Sequence, residues 1–194
     1  MKLSIINGSQ RRGSQSGRVA EFIKAQSHSF SDVEVIELAE YALPFWDGDS
    51  RESKGEDWAI IEAKLSASDA YALITPEWSG MATPMLKQLL MNASVPVTGH
   101  KPALLVSVSS GGNGVYPLSE LMISGNKNNK MVFIPANVIV RNVEDMLHPV
   151  EGSALSSRDS AIRARLIESV SLLGRYAELL LPMRSYQDPY GFGM

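Results

Sequence analysis

The sequence predicts an α/β protein in which a five-stranded parallel sheet is covered by helices on both faces, giving three layers. One observation is a series of short apolar runs with the length of buried strands, bounded by glycine, proline or polar residues. A second is that stretches with apolar residues at helical spacing alternate with these runs. Strand–helix–strand units join parallel strands by right-handed crossovers, which explains why both faces of the sheet are covered.

The predicted strands are short and are separated by helical stretches. Strands are expected at residues 3–6, 33–38, 70–75, 102–109, 131–134 and 137–140, and five is the economical number for the sheet. Helices are expected at residues 17–26, 57–65, 117–124 and 157–181, with one more beginning at Pro84. Ser16 is the expected N-cap of the first helix, and Thr83 is the expected N-cap of the helix that begins at Pro84.

The composition is that of an ordinary globular domain. A chain of 194 residues, with 44% hydrophobic and 20% charged residues, can bury one substantial core. Its formal charge of −3 gives no general attraction to nucleic acid or to an anionic membrane. No apolar run approaches the roughly 20 residues that span a bilayer. We therefore expect neither nucleic acid nor a membrane as a partner, and we expect one domain at residues 1–182 followed by a tail at 183–194.

Cysteine is absent from the sequence, which excludes disulfides, thiolate catalysis and cysteine-ligated metal centres. The three histidines are scattered along the chain, so no metal site is predicted. The N-terminal segment enters a predicted strand at once and does not have the pattern of a signal peptide. These features fit a cytoplasmic protein, which is the predicted location.

Three turns follow predicted strands, and ligands bind at this carboxyl edge in open parallel sheets. They are residues 8–16, 76–83 and 109–114. The first follows the turn signal Asn7-Gly8 and combines serine hydroxyls with Arg11 before a predicted helix. Free N–H groups at a helix start suit a phosphate, and Arg11 adds a charge-assisted contact. The alternative is a solvated loop that only caps the helix.

Two familiar phosphate-binding motifs are absent from the first turn. Gln10 stands where the dinucleotide fingerprint needs its second glycine. The stretch "GSQRRGSQ" has the glycine spacing of a nucleoside-triphosphatase loop, but Ser14-Gln15 replaces the Lys-Ser/Thr pair. Without that lysine, the loop lacks the positive charge that contacts the β- and γ-phosphates during phosphoryl transfer. A serine-rich loop that holds one monophosphate remains.

The other two turns carry weaker signals. In "TPEWSG", Trp78 offers a flat face to a planar ring, although a tryptophan that only packs against the protein is the simpler interpretation of this motif alone. In "SSGGNG", the glycines either let backbone groups approach a ligand or only make the loop flexible. The placement of all three turns after strands of one sheet is the stronger evidence for a ligand site.

Together these motifs resemble those of the NADPH-dependent FMN reductase family, which has a flavodoxin-like fold. The family's Gly-Ser-x-Arg-x-x-Ser loop is matched by Gly8, Ser9, Arg11 and Ser14. Its Pro-Glu-Tyr-Asn-Gly motif corresponds to "PEWSG" at residues 76–80, where Trp78 replaces tyrosine and Ser79 replaces asparagine. Its Ser-x-Ser motif with glycines corresponds to residues 107–112. The resemblance extends over residues 1–140.

The resemblance implies FMN as the cofactor and NADPH or NADH as the co-substrate. The residues expected to hold the FMN phosphate are Ser9, Arg11, Ser14, Gln15 and Ser16. The residues expected beside the isoalloxazine ring are Pro76, Glu77, Trp78, Ser79 and Gly80 on one side, and Ser109, Gly111 and Gly112 on the other. Because the flavin carries the chemistry, no protein residue is predicted to be catalytic.

The predicted function is that of an FMN-dependent oxidoreductase. Hydride passes from NAD(P)H to FMN and then to a quinone, flavin, azo or metal-oxyanion acceptor. The alternative is a flavodoxin-like electron carrier or interaction module that binds FMN without nicotinamide reductase activity. The resemblance also implies a homodimer or homotetramer with the flavin near the subunit interface, which Trp46 and the loop at residues 47–57 could reach.

Overall fold

The computed structural model describes residues 1–48, 54–149 and 156–186. Part of the predicted loop at 47–57, and residues 187–194 of the predicted tail, lie outside the described residues. One parallel sheet runs through the described part of the chain. Its strands are β1 (Lys2–Asn7), β2 (Asp32–Glu37), β3 (Ala70–Pro76), β4 (Pro102–Val108), β5 (Val132–Phe133) and β6 (Val138–Val140). The order across the sheet is β2-β1-β3-β4-β5, and β6 also pairs with β4.

The far edge of the sheet is made of two short strands that share one position. β5 pairs with the start of β4, at Pro102 and Ala103, whereas β6 pairs with its end, at residues 106–108. Pro135 lies between β5 and β6, and proline has no N–H group to donate to a neighbouring strand. The predicted five-stranded parallel sheet is therefore confirmed, with its last position divided between two strands.

Helices cover both faces of the sheet. They are α1 (Gln15–Gln26), α2 (Glu56–Ala67), α3 (Pro84–Asn92), α4 (Val95–Thr98), α5 (Val115–Ser124) and α6 (Ser157–Leu179). On one face, α1 and α6 bury Ile23 and Leu173 in a shared core. On the other face, α2, α3, α4 and α5 form a second core that includes Ile61 and Leu86. The three-layer arrangement predicted from the sequence is thus confirmed.

Alternate residues of the strands supply the two cores. In β1, Leu3 and Ile5 belong to the core under α1 and α6, whereas Ile6 belongs to the core on the opposite face. β3 and β4 are buried along their whole length. Central parallel strands with both faces covered have this pattern, which is why their sequences are continuous apolar runs.

The start of the first helix differs from the prediction. Ser14, and not Ser16, is the N-cap of α1, because its hydroxyl accepts a hydrogen bond from the Gly17 N–H over 3.2 Å. Ser16 lies in the first turn of the helix and is buried. Thr83 is the N-cap of α3 as predicted, and its hydroxyl accepts from the Leu86 N–H.

The described part of the predicted tail packs against the sheet's amino edge. A short 3₁₀ helix at Leu181–Ser185 follows α6. Arg184 forms an ion pair with Asp69, which precedes β3, and the Tyr186 ring meets the His100 ring edge-on, just before β4. No helix in the ranges that the structure describes has both the length and the apolar character to cross a bilayer.

The direction of the strand order changes at β1. The chain passes from β1 to β2 on one side and then crosses to β3 on the other side. The loops that follow β1, β3 and β4 therefore meet at the carboxyl edge of the sheet, where such folds bind ligands. We call them loop 1 (residues 8–14), loop 2 (77–83) and loop 3 (109–114).

Candidate functional site

Loop 1 is held close to the end of β3 and the start of α3. The Gly8 N–H donates to the Ile74 carbonyl over 2.8 Å, and the Thr83 hydroxyl donates to the Gly8 carbonyl over 2.6 Å. A Cβ atom at position 8 would lie 2.8 Å from the Ile74 oxygen and 2.9 Å from the Leu86 Cβ. The φ angle of Gly8 is not positive. Glycine is needed here because two elements approach it closely, rather than because of a left-handed turn.

Asn7, the last residue of β1, organises loop 1. Its side-chain oxygen accepts from the Ser9 N–H over 3.1 Å. Its side-chain nitrogen donates to the Ser14 hydroxyl over 3.3 Å and to the Glu37 carboxylate over 2.7 Å. These contacts join both ends of loop 1 to β2. In the sequence, Asn7-Gly8 is only a turn signal, but the position of Asn7 directly after the apolar residues 3–6 could have indicated this role.

An acidic cavity of about 310 Å³ lies beside loop 1. Its lining includes Glu21, Glu37 and Glu40 together with Arg12 and Arg18. Burial raises the pKa of Glu37 against the opposing effect of its hydrogen bond from Asn7, and the carboxylates of Glu40 and Glu21 raise it further. Because carboxylates outnumber arginines in this cavity, we do not place a phosphate there.

The backbone N–H groups of loop 1 form a better anion site. In the described structure, no hydrogen-bond partner is present for the N–H groups of Gln10, Arg12, Gly13 and Ser14. Gln15 and Ser16 open α1, where N–H groups have no partner within the helix. Consecutive free N–H groups at the positive end of a helix dipole suit a phosphate.

The structure brings the predicted phosphate-binding residues together in loop 1 and the first turn of α1. The Ser9 hydroxyl is buried and accepts from the Arg11 N–H over 3.1 Å. The Ser14 hydroxyl caps α1, whereas Gln15 is exposed and Ser16 is buried. The hydroxyls of Ser9 and Ser14 therefore shape the loop, and its backbone N–H groups and the Arg11 guanidinium are left to contact a ligand.

Loop 2 contains a tight turn at residues 78–81. Trp78 and Met81 pair as an antiparallel bridge, with N···O distances of 2.9 and 3.2 Å. The φ angles of Ser79 and Gly80 are 52° and 72°, as in a type I′ turn. Serine is less suited than asparagine to the left-handed conformation at position 79. The N–H groups of Ser79 and Gly80 have no partner in the part of the chain that the structure describes.

Pro76 ends β3, and Glu77 joins loop 2 to β4. The Glu77 N–H donates to the Val108 carbonyl over 2.8 Å, so this group is not available to a ligand. The Glu77 Oε1 atom is buried and has no hydrogen-bond partner among the described residues. Because buried polar atoms are nearly always paired, this oxygen fits the border of a ligand site.

The Arg11 side chain connects loops 1 and 2. The carbon of its guanidinium lies 4.9 Å from the centre of the Trp78 ring. This distance is within the range of a cation–π interaction. A residue predicted to hold the phosphate and a residue predicted to flank the ring are therefore direct neighbours.

Glu120 on α5 links loop 2 to α3 by contacting both, a role that was not predicted from the sequence. Its carboxylate accepts from the Ala82 N–H over 2.7 Å and pairs with Lys87 over 2.8 Å. Burial acts to raise the pKa of Glu120, but these two hydrogen bonds outweigh that effect and hold it below its usual value. Lys87 and Glu120 are 33 residues apart, and no sequence signal joins them.

Loop 3 is tied to β6 and to the residue that follows it. The Ser109 N–H donates to the Val140 carbonyl over 2.9 Å, and the Gly112 carbonyl accepts from the Arg141 Nε over 2.7 Å. Nothing lies within 4 Å of the positions that a Cβ atom would take at Gly111 or Gly112. The Gly111 N–H donates to the Ser109 hydroxyl over 3.3 Å and its carbonyl accepts from the Asn142 N–H over 3.1 Å, so among the described residues only the Gly112 N–H of this pair is left to contact a ligand.

The residues around the three loops fit the chemistry of FMN. Its phosphate matches the free N–H groups of loop 1 and the charge of Arg11. Its planar ring matches the face of Trp78. Its polar ring edge matches the free N–H groups of Ser79 and Gly80. Each predicted contact remains a proposal, supported by this geometry.

The fold and the position of the anion site define the class of flavodoxin-like proteins, whose strand order is 2-1-3-4-5. The model of the family described as NADPH-dependent FMN reductase matches residues 1–145, so the chain belongs to this family. Membership confirms the predicted class of flavoprotein oxidoreductase, with FMN as cofactor and NAD(P)H as co-substrate.

Individual relatives agree with the family. An NADPH azoreductase of Bacillus sp. (strain OY1-2) is 30% identical over 154 residues, which cover 78% of this chain and 81% of the relative. An FMN-dependent NADPH-azoreductase of Staphylococcus saprophyticus is 28% identical over 129 residues, 63% of this chain and 68% of the relative. A solved flavoenzyme NAD(P)H:(acceptor) oxidoreductase from Paracoccus denitrificans has a TM-score of 0.71 at 18% identity, covering 92% of this chain and 97% of that one. This last likeness shows the fold.

Proposed function

We propose that this chain passes hydride from NAD(P)H to FMN held at the carboxyl edge of the sheet, and then reduces a small-molecule acceptor. The observation that carries the proposal is the row of unpartnered N–H groups in loop 1 beside Arg11, in a chain of the FMN reductase family. Bound FMN supplies the two-electron chemistry. The protein binds the cofactor, orients it and leaves one face of the ring open.

Each loop has a separate part in this proposal. The N–H groups of loop 1 and the Arg11 guanidinium hold the phosphate, while Trp78 and the N–H groups of residues 79–80 flank the ring. Loop 3 borders the ring from the other side. Asn7, Thr83 and Glu120 fix loops 1 and 2 in advance through their hydrogen bonds. Donors held in place need no reorganisation when negative charge develops next to them.

The proposed acceptor is a flat, conjugated molecule such as an azo compound or a quinone. Both curated relatives described above are named azoreductases. A planar acceptor can stack on a flavin ring bordered by Trp78, whereas a metal oxyanion gains nothing from an aromatic face. Flat acceptors should therefore have lower KM values than chromate in the same assay.

The test is a steady-state assay of NADPH oxidation by the FMN-loaded protein, with an azo dye, a quinone and chromate as acceptors. We expect turnover that depends on both FMN and an acceptor. If the protein holds FMN but oxidises neither NADPH nor NADH, the proposal is wrong and the chain is an electron carrier or a binding module.

We also propose a homodimer or homotetramer whose interface includes α5 and the adjacent part of loop 2. Large exposed apolar side chains are found there: Met81, Val115, Tyr116, Met122 and Ile123. Ile123 is 84% exposed, and clustered apolar exposure is typical of an interaction surface. The Tyr116 ring is 3.9 Å from the Cβ position of Gly80, so this surface adjoins the proposed ring site.

Light scattering of a matched pair of variants tests this interface. Ile123→Glu should convert the oligomer to monomers, because it places a charge in the apolar contact. Ile60→Glu is the control, since Ile60 is 51% exposed on α2, outside this cluster of side chains. An Ile123→Glu protein with the same mass as the control would place the interface elsewhere.

The cytoplasmic location and the domain boundary at residue 182 stay predictions from the sequence. The lack of cysteine supports a reducing compartment. Limited proteolysis tests the boundary: cleavage within residues 183–186 would support it, whereas protection of these residues by the contacts of Arg184 with Asp69 and of Tyr186 with His100 would place them in the domain.

A further inference from the structure

A groove lies between the edge strand β6 and helix α6, outside the three loops described above. Its volume is about 660 Å³, which is in the range of small-molecule sites. Asn137, Ile139 and Arg141 line it from the sheet side. Arg158, Ile162 and Arg165 line it from α6. The spacing of 158, 162 and 165 places these residues on one face of the helix.

The charge of this groove is entirely positive among its described lining residues. Arg141, Arg158 and Arg165 contribute to it, and no aspartate or glutamate does. Arg163, on the same helix, pairs instead with Asp159 over 2.9 Å. An uncompensated group of three arginines indicates a ligand with several negative charges.

Most hydrogen-bond donors of these arginines have no partner in the part of the chain that the structure describes. A guanidinium carries five N–H bonds. Arg141 donates one to the Gly112 carbonyl over 2.7 Å, and Arg165 donates one to the Asn137 carbonyl over 3.2 Å. Arg158 has no hydrogen-bond or ion-pair partner among the described residues. The remaining donors can bind phosphate oxygens, often two at a time.

The groove is adjacent to the proposed flavin site. Arg141 contacts Gly112 of loop 3, and β6 pairs with the end of β4, from which loop 3 begins. A ligand with one end on the flavin ring and the other end beyond loop 3 could contact Arg141. NADPH is such a ligand, because its nicotinamide must lie over the ring while its adenosine end carries phosphates.

We propose that this groove binds the adenosine end of the nicotinamide co-substrate, and that its arginines select NADPH over NADH through the 2′-phosphate. This proposal rests on the proposed function. The 2′-phosphate is the one group that distinguishes the two co-substrates, and it carries nearly two negative charges at neutral pH. A site whose described lining has three arginines and no carboxylate therefore favours the dinucleotide that carries this phosphate.

The first test measures binding without any reaction. Adenosine 2′,5′-bisphosphate and 5′-AMP are titrated calorimetrically into the FMN-loaded protein. We expect the bisphosphate to bind about tenfold more tightly or better. Arg158→Gln should abolish most of that difference, and it is the preferred variant because Arg158 is exposed and has no hydrogen-bond or ion-pair partner within the described ranges. Arg175→Gln, an exposed arginine farther along α6, is the matched control and should behave as the wild type.

The second test measures kinetics. Arg158→Gln should raise the KM for NADPH about tenfold more than it raises the KM for NADH, because NADH lacks the 2′-phosphate. The inference is wrong if the bisphosphate binds no better than 5′-AMP, or if Arg158→Gln and Arg175→Gln behave alike. Failure of the proposed function has a different signature, since neither co-substrate would then reduce FMN that the protein has retained.

Discussion

The Arg11 guanidinium carbon lies 4.9 Å from the centre of the Trp78 ring, and this contact joins the loop after β1 to the loop after β3. A guanidinium can stack through its face and donate hydrogen bonds through its edge at the same time. Arg11 can therefore contact Trp78 and an FMN phosphate together. Trp78 stands where the family motif has tyrosine, and tryptophan is the stronger cation–π partner.

Removal of the Arg11 charge should weaken FMN binding. A charge-assisted hydrogen bond contributes about 1.5–3 kcal/mol, so Arg11→Gln should raise the Kd for FMN about 10- to 100-fold. Riboflavin lacks the phosphate, and its weaker binding should change far less. Quenching of flavin fluorescence during titration measures both constants.

The control for this prediction is Arg12→Gln, which makes the same charge change at the next position. Arg12 lines the acidic cavity beside loop 1 and makes no contact with Trp78. Its substitution should alter FMN affinity only slightly. Equal losses in the two variants would show that the overall charge of the loop matters, rather than a specific contact of Arg11.

Replacement of Gly8 by alanine should destabilise the fold. The added Cβ would lie 2.8 Å from the Ile74 carbonyl oxygen and 2.9 Å from the Leu86 Cβ. Overpacking of this kind costs about 1–3 kcal/mol of the free energy of unfolding. Gly111→Ala adds the same methyl group where nothing lies within 4 Å. Urea unfolding should separate the two variants, and similar midpoints would contradict this account of position 8.

Ser79→Asn should stabilise loop 2. Position 79 has a φ angle of 52°, which asparagine tolerates better than serine does. We expect a gain of roughly 0.5 kcal/mol in the free energy of unfolding, by analogy with other left-handed positions. Ser110→Asn is the control, because Ser110 is an exposed loop residue without a positive φ. A loss of stability in Ser79→Asn would argue against the type I′ turn.

Lys101 should make stability depend on pH above neutrality. Its ammonium donates to the carbonyls of Leu65 and Ser66 at the end of α2. Burial and, to a lesser extent, the charge of Arg184 lower the pKa of Lys101 from 10.5 to about 8, against the opposing charge of Asp69. The folded chain therefore releases this proton at a lower pH than the unfolded chain does.

Between pH 8 and 10 the unfolded chain thus binds more protons than the folded chain does. The free energy of unfolding therefore rises with pH in this window. Relative to Lys101→Met, the wild type should gain up to about 2 kcal/mol in the free energy of unfolding from pH 8 to 10. Tyr71, whose pKa burial raises, is present in both proteins, so its contribution largely cancels. Urea titrations at several pH values measure the difference, and a constant difference would contradict the prediction.

The elements of the fold were predictable because each is marked by local chemistry. Buried strands such as β3 and β4 are continuous apolar runs, and their bounds differ from the prediction by one residue. Thr83 followed by Pro84 identified the start of α3. Local chemistry did not distinguish Ser14 from Ser16 as the N-cap of α1, because both are serines near the start of the helix.

The hydrogen bonds and packing contacts that surround the candidate site were not predictable from the sequence, because they form between segments that are distant along the chain. Asn7 and Glu37 lie on neighbouring strands, and their hydrogen bond requires the register of β1 against β2. Glu120 reaches loop 2 only after α5 has packed beside α3. The groove with Arg158 likewise exists only where α6 packs against β6. Spacing along the chain carries none of this information.

The central claim is that loop 1 binds FMN and that NAD(P)H reduces it there. The most direct measurement is an absorption spectrum of protein incubated with FMN and desalted, followed by anaerobic addition of NADPH. The account predicts that flavin bands stay with the protein and bleach when NADPH is added. It is contradicted if no flavin is retained at FMN concentrations well above micromolar, or if retained flavin is bleached by neither NADPH nor NADH.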